Sequence, residues 1–387
     1  MFSSKDAAGD QPAGKQRGEQ VLKSPKAVIS RRAALTGATI APVAIAAPAI
    51  AQTNPKITWK FASSFPKNLP ALYGCASLFI ERVKQATDGN FQIQFFGPGE
   101  LVPPLQTLDA VQEGTIELTH TGSYYYVGKE PSFAFATQLP FGLNARQQEA
   151  WIDHGGGGPL LDEFFAKYKV KHLKFGNTAA QMMGWFRKEL RTPADLQGLK
   201  FRIGGLAGQI MTRLGVIPQQ LALSEVYQAL ERGSIDGADF VSPLDDVKLG
   251  LTKVAKYYYY PAWQENGPLT NLFINMTKWN DLPPSYQAIV TSAAAEASHY
   301  MTSFYDAGNM AGLRQIIAEG GLIKPLAPSI MDALYKASVE TYDEIAAKDP
   351  QFKKIYEPWK KFRQEINLWF SVSETPMDVT IQRLVRA

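Results

Sequence analysis

Cysteine is almost absent from this sequence, and its scarcity excludes two common kinds of stabilising centre. The 387 residues contain a single cysteine, Cys75. One cysteine forms no disulfide within the chain and provides no cysteine-based zinc site. Cys75 lies in the apolar stretch 72–76, where we expect it to pack as a small core residue. The fold must therefore be held together by its apolar core, to which 45% hydrophobic residues can contribute.

Familiar catalytic motifs are missing as well. The sequence has no Gly-x-x-x-x-Gly-Lys-[Ser/Thr] phosphate loop and no Gly-x-Ser-x-Gly nucleophile elbow. The four histidines are scattered, without the His-Glu-x-x-His spacing of a zinc site: His120, His154, His172 and His299. These absences favour a binding protein over an enzyme. A secreted enzyme for a carboxylated substrate is the alternative, with Asp239, Glu265 and His120 as its candidate acids or bases.

Net charge is small and unevenly distributed. The chain has 40 lysines and arginines against 36 aspartates and glutamates, a formal charge of +4. Residues 1–51 carry seven of the basic and three of the acidic side chains, so residues 52–387 are formally neutral. Neutrality argues against the basic footprint of a nucleic-acid-binding protein. The length allows roughly two or three domains.

Residues 1–51 have the features of an export signal. A polar segment leads to Ser30-Arg31-Arg32, then to a run of about 15 small and apolar residues, and finally to Ala49-Ile50-Ala51. The run is too short to span a bilayer, and no later segment has 18 uncharged apolar residues. The twin arginines predict the twin-arginine (Tat) route, removal of this signal peptide and a periplasmic mature protein, residues 52–387. An uncut alanine-rich anchor is the alternative.

Apolar periodicity predicts an α/β fold. Residues 57–62 alternate like a strand, residues 72–86 are spaced like an amphipathic helix, and residues 91–96 alternate again, which together make a βαβ unit. Residues 108–117 also resemble residues 227–236, since each combines a helix ending at a glycine with the start of a strand. Two lobes built alike would each send a loop into a shared cleft. Chance recurrence of a common turn is the alternative.

The C-terminal part is predicted to be helical. Residues 282–308 and 329–347 are strongly periodic. Between Phe352 and Trp369, apolar side chains recur at three- and four-residue steps despite Pro358. Such an aromatic stripe belongs either to the core or to a helix that binds a partner. The sequence alone leaves both possibilities open.

A family resemblance is carried by residues 178–265. Residues 195–202 read Asp-Leu-Gln-Gly-Leu-Lys-Phe-Arg, and residues 215–237 combine Gly-x-x-Pro with Glu-Val-Tyr-x-Ala-Leu-x-x-Gly-x-x-Asp-Gly. In these segments the chain resembles the periplasmic solute-binding subunits of TRAP transporters, the DctP-type family. Residues 124–129 and 257–261 look like the branch of that family that binds 2-oxo monocarboxylates such as pyruvate.

The resemblance implies an α/β, two-lobed periplasmic binding protein fold with a long C-terminal helix. Lobe I would comprise residues 52–178 and 266–308, lobe II residues 179–265 and 309–350, and residues 351–387 the C-terminal segment. The implied function is capture of a small organic anion by hinge closure and delivery to the TRAP transporter membrane subunits. No bond is made or broken, so the protein would be no enzyme. In that branch the C-terminal helix is swapped between two chains, which implies a homodimer.

The same resemblance implies residues that contact the anion. Arg202 lies where the family has its carboxylate-clamping arginine, and a planar guanidinium fits a carboxylate with two parallel hydrogen bonds. An internal salt bridge is the alternative. The amide of Gln181 offers a donor and an acceptor, to ligand and cation together, unless it is a satisfied core amide. Tyr124, Tyr125 and Trp185 are candidate aromatic walls, or equally core residues.

A bound cation is implied by the branch, in which Na⁺, or Ca²⁺ in a lactate-binding relative, bridges protein and ligand carboxylate. Its ligands would be side-chain oxygens of Gln181 and Glu265, the carboxylate of Asp239 and the backbone carbonyl of Phe240, a set that suits a hard cation. The branch usually has Glu-Trp where Asp239-Phe240 stands, a departure that bears on the cation and on ligand size. Asp239 as a turn residue and Glu265 as a solvated loop charge are the alternatives. The alternative ligands are lactate, a sugar acid, a C4-dicarboxylate, an amino acid or a polyol.

Overall fold

A computed structural model describes residues 55–385, so the predicted export signal, residues 1–51, lies outside the described residues. The described range contains eleven strands: β1 (Ile57–Ser63), β2 (Phe91–Phe96), β3 (Leu118–Thr121), β4 (Val170–Asn177), β5 (Gly184–Phe186), β6 (Lys200–Arg202), β7 (Ile217–Gln219), β8 (Gly237–Ala238), β9 (Tyr257–Tyr260), β10 (Leu269–Asn275) and β11 (Leu322–Pro325). It also contains twelve α-helices: α1 (Pro70–Ala86), α2 (Thr107–Gln112), α3 (Ala145–Asp153), α4 (Gly157–Ala166), α5 (Gly205–Thr212), α6 (Val226–Glu231), α7 (Pro243–Leu249), α8 (Met276–Asn280), α9 (Pro284–Ala318), α10 (Pro328–Lys348), α11 (Pro350–Ser373) and α12 (Thr375–Val385). None of these helices combines the length and apolarity needed to cross a membrane.

The strands form two sheets that are built on one plan. The first sheet has the order β2-β1-β3-β10-β4 and the second β7-β6-β8-β5-β9-β11. In each, one strand pairs in parallel with both neighbours, β1 with β2 and β3, and β6 with β7 and β8. Beyond β3 the first sheet continues with the antiparallel strands β10 and β4, and beyond β8 the second sheet continues with the antiparallel strands β5 and β9. The α/β class that the βαβ pattern predicts is confirmed.

The repeated sequence marks equivalent positions in the two sheets. Residues 108–117 lead from α2 towards β3, and residues 227–236 lead from α6 towards β8. Each helix is followed by a glycine in the left-handed region, Gly114 at φ 76° and Gly233 at φ 69°, which glycine adopts without steric strain. Because β3 and β8 occupy the same place in their sheets, the repeat reflects a shared architecture.

Two extended segments carry the chain between the sheets. Residues 178–183 lead from β4 to β5, and residues 261–268 lead back from β9 to β10. The two segments are hydrogen-bonded to each other, since the N–H of Gln181 donates to the carbonyl of Glu265 at 3.2 Å. Two of the predicted site residues therefore lie on the connection between the sheets.

Helix α9 is shared by both sheets. It is 35 residues long and packs on α1 and on strand β4 of the first sheet, and on α7 beside the second sheet. A glycine permits the close approach of α7, because a Cβ on Gly312 would lie 2.5 Å from the carbonyl oxygen of Pro243. The helix predicted over 282–308 continues to Ala318.

Helix α11 runs unbroken through Pro358 and has two different halves. In its first half Phe352, Ile355 and Trp359 are buried, at most 3% exposed. In its second half Leu368 is 70% and Trp369 59% exposed. The aromatic stripe is therefore part of the core at its beginning and exposed at its end, so the core interpretation holds for its first half and partner binding by its second half stays a prediction.

The packing of α1 on the first sheet gives a stability test. Phe79 is fully buried, with ring centroids 6.0 Å from Phe61 and 5.1 Å from Phe175 in edge-on geometry. Because alanine would leave a cavity, we expect Phe79→Ala to lower the free energy of unfolding by about 3–5 kcal/mol. Tyr73→Ala, at a 40% exposed position of the same helix, is the control and should lose clearly less. Urea unfolding followed by circular dichroism measures both, and equal losses would contradict this packing.

Candidate functional site

The carboxyl ends of parallel strands from both sheets meet at one cleft. β3 leads into a 3₁₀ helix, Ser123–Tyr126, while β6 ends at Arg202 and β8 leads into Asp239 and Phe240. Residues that follow β3 and β8 line one cavity together with residues of the two connecting segments. Ligands of open α/β sheets bind beyond the carboxyl ends of strands. This cleft is therefore the candidate site.

Arg202 is the charged centre of the cleft and is fully buried. Its Nε donates to the carbonyl of Leu221 at 3.1 Å, and its Nη1 donates to the carbonyl of Asp239 at 2.7 Å. Nη1 also lies 3.3 Å from Oδ2 of Asp239, so the internal salt bridge considered as an alternative is present. Nη2 has no hydrogen-bond partner. The guanidinium is thus held by the protein through Nε and Nη1, while Nη2 is left without a hydrogen-bond partner.

Gln181 and Glu265 bring oxygen atoms to the same place. Both are buried, at 8% and 6% exposure, on the paired connecting segments. The amide nitrogen of Gln181 donates to the hydroxyl of Thr178 at 2.8 Å, whereas its Oε1 has no hydrogen-bond partner. Gln181 is therefore only half satisfied as a core amide. Glu265 is no solvated loop charge: burial, together with the negative charge of Asp239, raises the pKa of its carboxyl well above the usual range, against the pull of Arg202.

Asp239 is fully buried and is held from two sides. Its Oδ1 accepts a hydrogen bond from Nε2 of Gln264 at 3.0 Å, and its Oδ2 faces Arg202. Burial raises the pKa of Asp239 to about 6, although Arg202 and the hydrogen bond from Gln264 favour the charged form. Gln264 is a site residue that the sequence did not reveal, because nothing in its neighbourhood distinguishes it from a surface glutamine.

A small cavity lies in the cleft. Its lining is mostly apolar, with hydroxyl, amide and carboxyl groups among the apolar side chains. The lining residues are Phe65, Leu72, Gly122, Tyr124, Thr137, Thr178, Gln181, Leu223, Phe240, Val241, Glu265, Pro268 and Thr270. Of the predicted site residues, Gln181, Tyr124, Phe240 and Glu265 line it, whereas Arg202 and Asp239 are not among the lining residues.

The aromatic residues predicted as walls separate into two groups. Tyr124 lines the cavity, and the ring of the buried Tyr125 lies against it with centroids 4.6 Å apart. Trp185 is not among the lining residues: it is fully buried on β5, stacked on Tyr258 at 4.1 Å, and its indole N–H donates to Asp246 at 2.7 Å. The structure therefore places Trp185 in the core of the second sheet, in agreement with the core alternative to a role as a wall of the site.

The ring of Tyr124 also joins the two sheets. Tyr124 follows β3 of the first sheet, but its ring lies against Gly204, which follows β6 of the second sheet. A Cβ on Gly204 would come within 2.1 Å of Cε2 of Tyr124, a distance that no side chain can occupy. Beside it, the amide of Gln220 donates to the carbonyl of Tyr125 at 2.9 Å. The cleft is closed in this structure by contacts between the sheets.

His120, a candidate acid or base of the enzyme alternative, lies outside the cavity lining. It is fully buried on β3, and its Nε2 lies 3.0 Å from the hydroxyl of Thr270. Burial lowers the pKa of His120 to about 3, so its ring is neutral. The histidine supports Thr270 from behind and does not reach the cleft as an acid–base group.

The oxygen atoms gathered at the cleft fit a hard cation. Within residues 55–385, no three His, Cys, Asp or Glu side chains lie close enough to hold a metal ion by themselves. A cation here would rely on the unpartnered Oε1 of Gln181 and on a backbone carbonyl as well as on carboxylates. Such oxygen ligation suits Na⁺ or Ca²⁺ and not zinc or copper. The donor set that is present thus agrees with the expected cation.

These features coincide with one protein family. The family model of bacterial extracellular solute-binding proteins, family 7, known as DctP, matches residues 61–349. The chain belongs to this family. The resemblance read from residues 178–265 is therefore confirmed, and it extends over nearly the whole described chain. Members of this family are solute-binding receptors.

Individual relatives match over almost their full length. A monocarboxylate 2-oxoacid-binding periplasmic protein of a Nostoc species is 46% identical over 354 residues, 89% of this chain and 97% of that protein. The crystal structure of a TRAP transporter solute-binding protein of Bordetella bronchiseptica is a mixed-occupancy dimer, with calcium and picolinate in one active site and the other site apo. That protein is 45% identical with a TM-score of 0.85, covering 86% of this chain and 99% of that one. A Pseudoalteromonas atlantica relative with bound sodium and pyruvate is 33% identical with a TM-score of 0.81, covering 83% and 98%. The two-lobed fold with a long C-terminal helix is confirmed.

Proposed function

We propose that this chain is the periplasmic receptor of a TRAP transporter, which captures a 2-oxo monocarboxylate such as pyruvate with Na⁺ or Ca²⁺ and delivers it to the membrane subunits. The proposal is carried by the buried Nη2 of Arg202, which has no partner. A buried donor left unpaired costs about 1–3 kcal/mol, and more when charged. A ligand carboxylate removes that cost. Relatives that hold calcium with picolinate, or sodium with pyruvate, support the same chemistry.

The lining of the cavity favours a monocarboxylate over a dicarboxylate. None of its lining residues is basic, and Arg202 is the cation behind them. A second ligand carboxylate would therefore be buried without a positive partner, at a cost of several kcal/mol. The apolar walls formed by Phe65, Leu72 and Phe240 suit a short carbon chain. We assign the cation to Gln181, Glu265 and the carbonyl of Phe240, where it would offset negative charge beside the ligand.

Ligand binding tests this function directly. We expect the mature protein, residues 52–387, freed of Ca²⁺ with EGTA and of Na⁺ by dialysis into sodium-free buffer, to bind pyruvate in calorimetry when Ca²⁺ or Na⁺ is restored. At 100 times Kd the ligand should add about 2.7 kcal/mol of stability. Arg202→Ala should weaken binding at least about 30-fold, because the carboxylate loses its charged donor. Arg213→Ala, at a partly exposed arginine paired with Glu344, is the control. A folded wild-type protein that binds no 2-oxo acid would refute the function and direct the screen to lactate, sugar acids, C4-dicarboxylates, amino acids and polyols.

We further propose that capture is completed by closure of two lobes, residues 52–178 with 266–308 and residues 179–265 with 309–350. The hydrogen-bonded connecting segments form the hinge, because they are the extended links between the sheets. A ligand that contacts residues of both lobes binds the closed state more tightly and so favours it. The contact of Tyr124 with Gly204 belongs to that closed state. Residues 1–51 are proposed as the export signal of the twin-arginine type.

Adding a methyl group at residue 204, through the variant Gly204→Ala, tests the closure of the two lobes. Its φ of −94° accepts alanine without backbone strain, but the new Cβ would collide with the ring of Tyr124. We expect Gly204→Ala to raise the Kd for pyruvate at least about tenfold, which is ~1.4 kcal/mol, and to prevent the ligand-induced decrease of the radius of gyration in small-angle scattering. Gly128→Ala, where nothing lies within 4 Å of the added methyl, should behave as wild type. Unaltered binding by Gly204→Ala would show that the contact is not part of closure.

We also propose that the C-terminal arm, which is the exposed second half of α11 together with α12, joins two copies of this chain into a homodimer. Large apolar side chains of α11 and α12 are at least half exposed there: Leu368, Trp369, Val372, Met377, Val379, Ile381, Leu384 and Val385. So much apolar surface on a single arm is typical of a protein interface. The dimer of the Bordetella relative supports this assignment.

Introducing two negative charges into the exposed part of α11 tests whether this surface forms the dimer. We expect the double variant Leu368→Glu, Trp369→Glu to sediment as a monomer at concentrations where the wild type is a dimer, because burying a carboxylate in an apolar interface is costly. Lys361→Glu, on the same helix at a 78% exposed side chain, should remain dimeric. A monomeric wild type, or a double variant that still dimerises, would contradict the proposal.

A further inference from the structure

Two adjacent carboxyl groups, Asp245 and Asp246, lie in the first turn of α7. Asp245 is fully buried and Asp246 is 1% exposed. Burying a charged carboxylate is costly unless a positive partner or several hydrogen bonds offset it. Within residues 55–385, no lysine or arginine lies close enough to either carboxyl to offset its charge. The pair therefore depends on neutral hydrogen-bond donors alone.

Asp246 joins the wall of the cavity to the second sheet. Its Oδ2 accepts hydrogen bonds from the indole N–H of Trp185 at 2.7 Å and from the hydroxyl of Tyr258 at 2.6 Å. Its Oδ1 lies 3.4 Å from the N–H of Val241, which lines the cavity. With three donors around it, Asp246 is the member of the pair that is better supplied for carrying a negative charge.

Asp245 joins the same turn to α9 and has far fewer donors. Its Oδ2 accepts a hydrogen bond from the hydroxyl of Tyr305, whereas its Oδ1 has no hydrogen-bond partner. Burial raises the pKa of both carboxyls to about 7, although their donors favour the charged forms. Two adjacent buried carboxylates do not both ionise readily, because each charge disfavours the other. We therefore assign a bound proton to Asp245.

The other titratable groups near the pair come from several elements. They are Tyr305 of α9, Tyr258 of β9, Cys75 of α1 near Tyr305, and Asp239 near Tyr258. Burial raises the pKa values of both tyrosines and of Cys75 well above their usual range, so these three groups stay neutral. The charged residues beside the pair along α7, α9 and the following turn are exposed to water: Lys248, Lys253 and Asp306.

The contact between α7 and α9 also crosses the boundary of the two proposed lobes. Asp245 belongs to residues 179–265 and Tyr305 to residues 266–308. We infer that Asp245 and Asp246 form a proton-binding site that positions the cavity wall on α9, so that a bound proton favours the closed receptor and its loss weakens capture. This inference goes beyond the proposed function, and only its affinity readout rests on that function.

The first test needs no ligand. A carboxyl whose pKa is raised by folding stabilises the folded protein at low pH, and this stability is lost as the pH rises to the folded-state value. We therefore expect Asp245→Asn, which has no proton to release, to lose clearly less melting temperature than the wild type between about pH 4.5 and about pH 8. Tyr305→Phe, which removes a donor to the charged form, should move the loss to higher pH. Asp332→Asn, at an exposed aspartate of α10, is the control, and equal pH dependence of the wild type and Asp245→Asn would overturn the inference.

The second test uses the reciprocity of linked binding. If a proton favours closure, a ligand that favours closure must increase proton binding. With saturating Ca²⁺, pyruvate should cause more proton uptake in the wild type than in Asp245→Asn, measured by calorimetry in buffers of different ionisation enthalpy. Between about pH 6 and about pH 8, its Kd should also rise at least about threefold more in the wild type. Glu265 and Asp239 are present in both proteins, so the comparison isolates Asp245.

The outcomes separate this inference from the proposed function. Equal proton uptake by the two proteins, or an equal rise of their Kd values, would overturn the inference. A wild type that binds no 2-oxo acid but differs from Asp245→Asn in pH-dependent melting would refute the proposed function while supporting the proton-binding site.

Discussion

A guanidinium group without access to water is the constraint on which this structure depends. Arg202 is fully buried between elements of two sheets, and a charge so placed is tolerated only when it is paired and hydrogen-bonded. The protein satisfies it in part, through Asp239 and the carbonyl of Leu221. The remaining nitrogen, Nη2, is the one that the proposed ligand carboxylate would pair.

The similarity of the two sheets explains how such a centre is assembled. Each sheet contributes the turn after its third strand, 122–126 after β3 and 239–242 after β8. Each turn alone would be a half-exposed loop, but facing one another they enclose a cavity. The connecting segments, 178–183 and 261–268, then add Gln181 and Glu265 from the side. Binding of a ligand that contacts both turns and the connecting segments would therefore depend on the relative position of the two sheets.

Sequence patterns predicted the parts of this arrangement that depend on local order. The strands at 57–62 and 91–96 follow from periodicity, the repeat at 108–117 follows from its similarity to residues 227–236, and Arg202 was indicated by the family resemblance. Periodicity does not distinguish a buried wall from a buried core residue, because both are apolar at the same spacing, and Trp185 belongs to the core for that reason. Gln264 and the cavity threonines depend on the register between distant segments, which no local pattern contains.

Helix α9 gives the cleft a mechanical connection to distant surface. At 1.5 Å per residue its 35 residues extend for about 50 Å, and it packs against elements beside both sheets. A rotation of one sheet against the other at the glycine contact with α7 would therefore displace the far end of this helix. The proposed closure around a small ligand would in this way alter a surface far from the cleft.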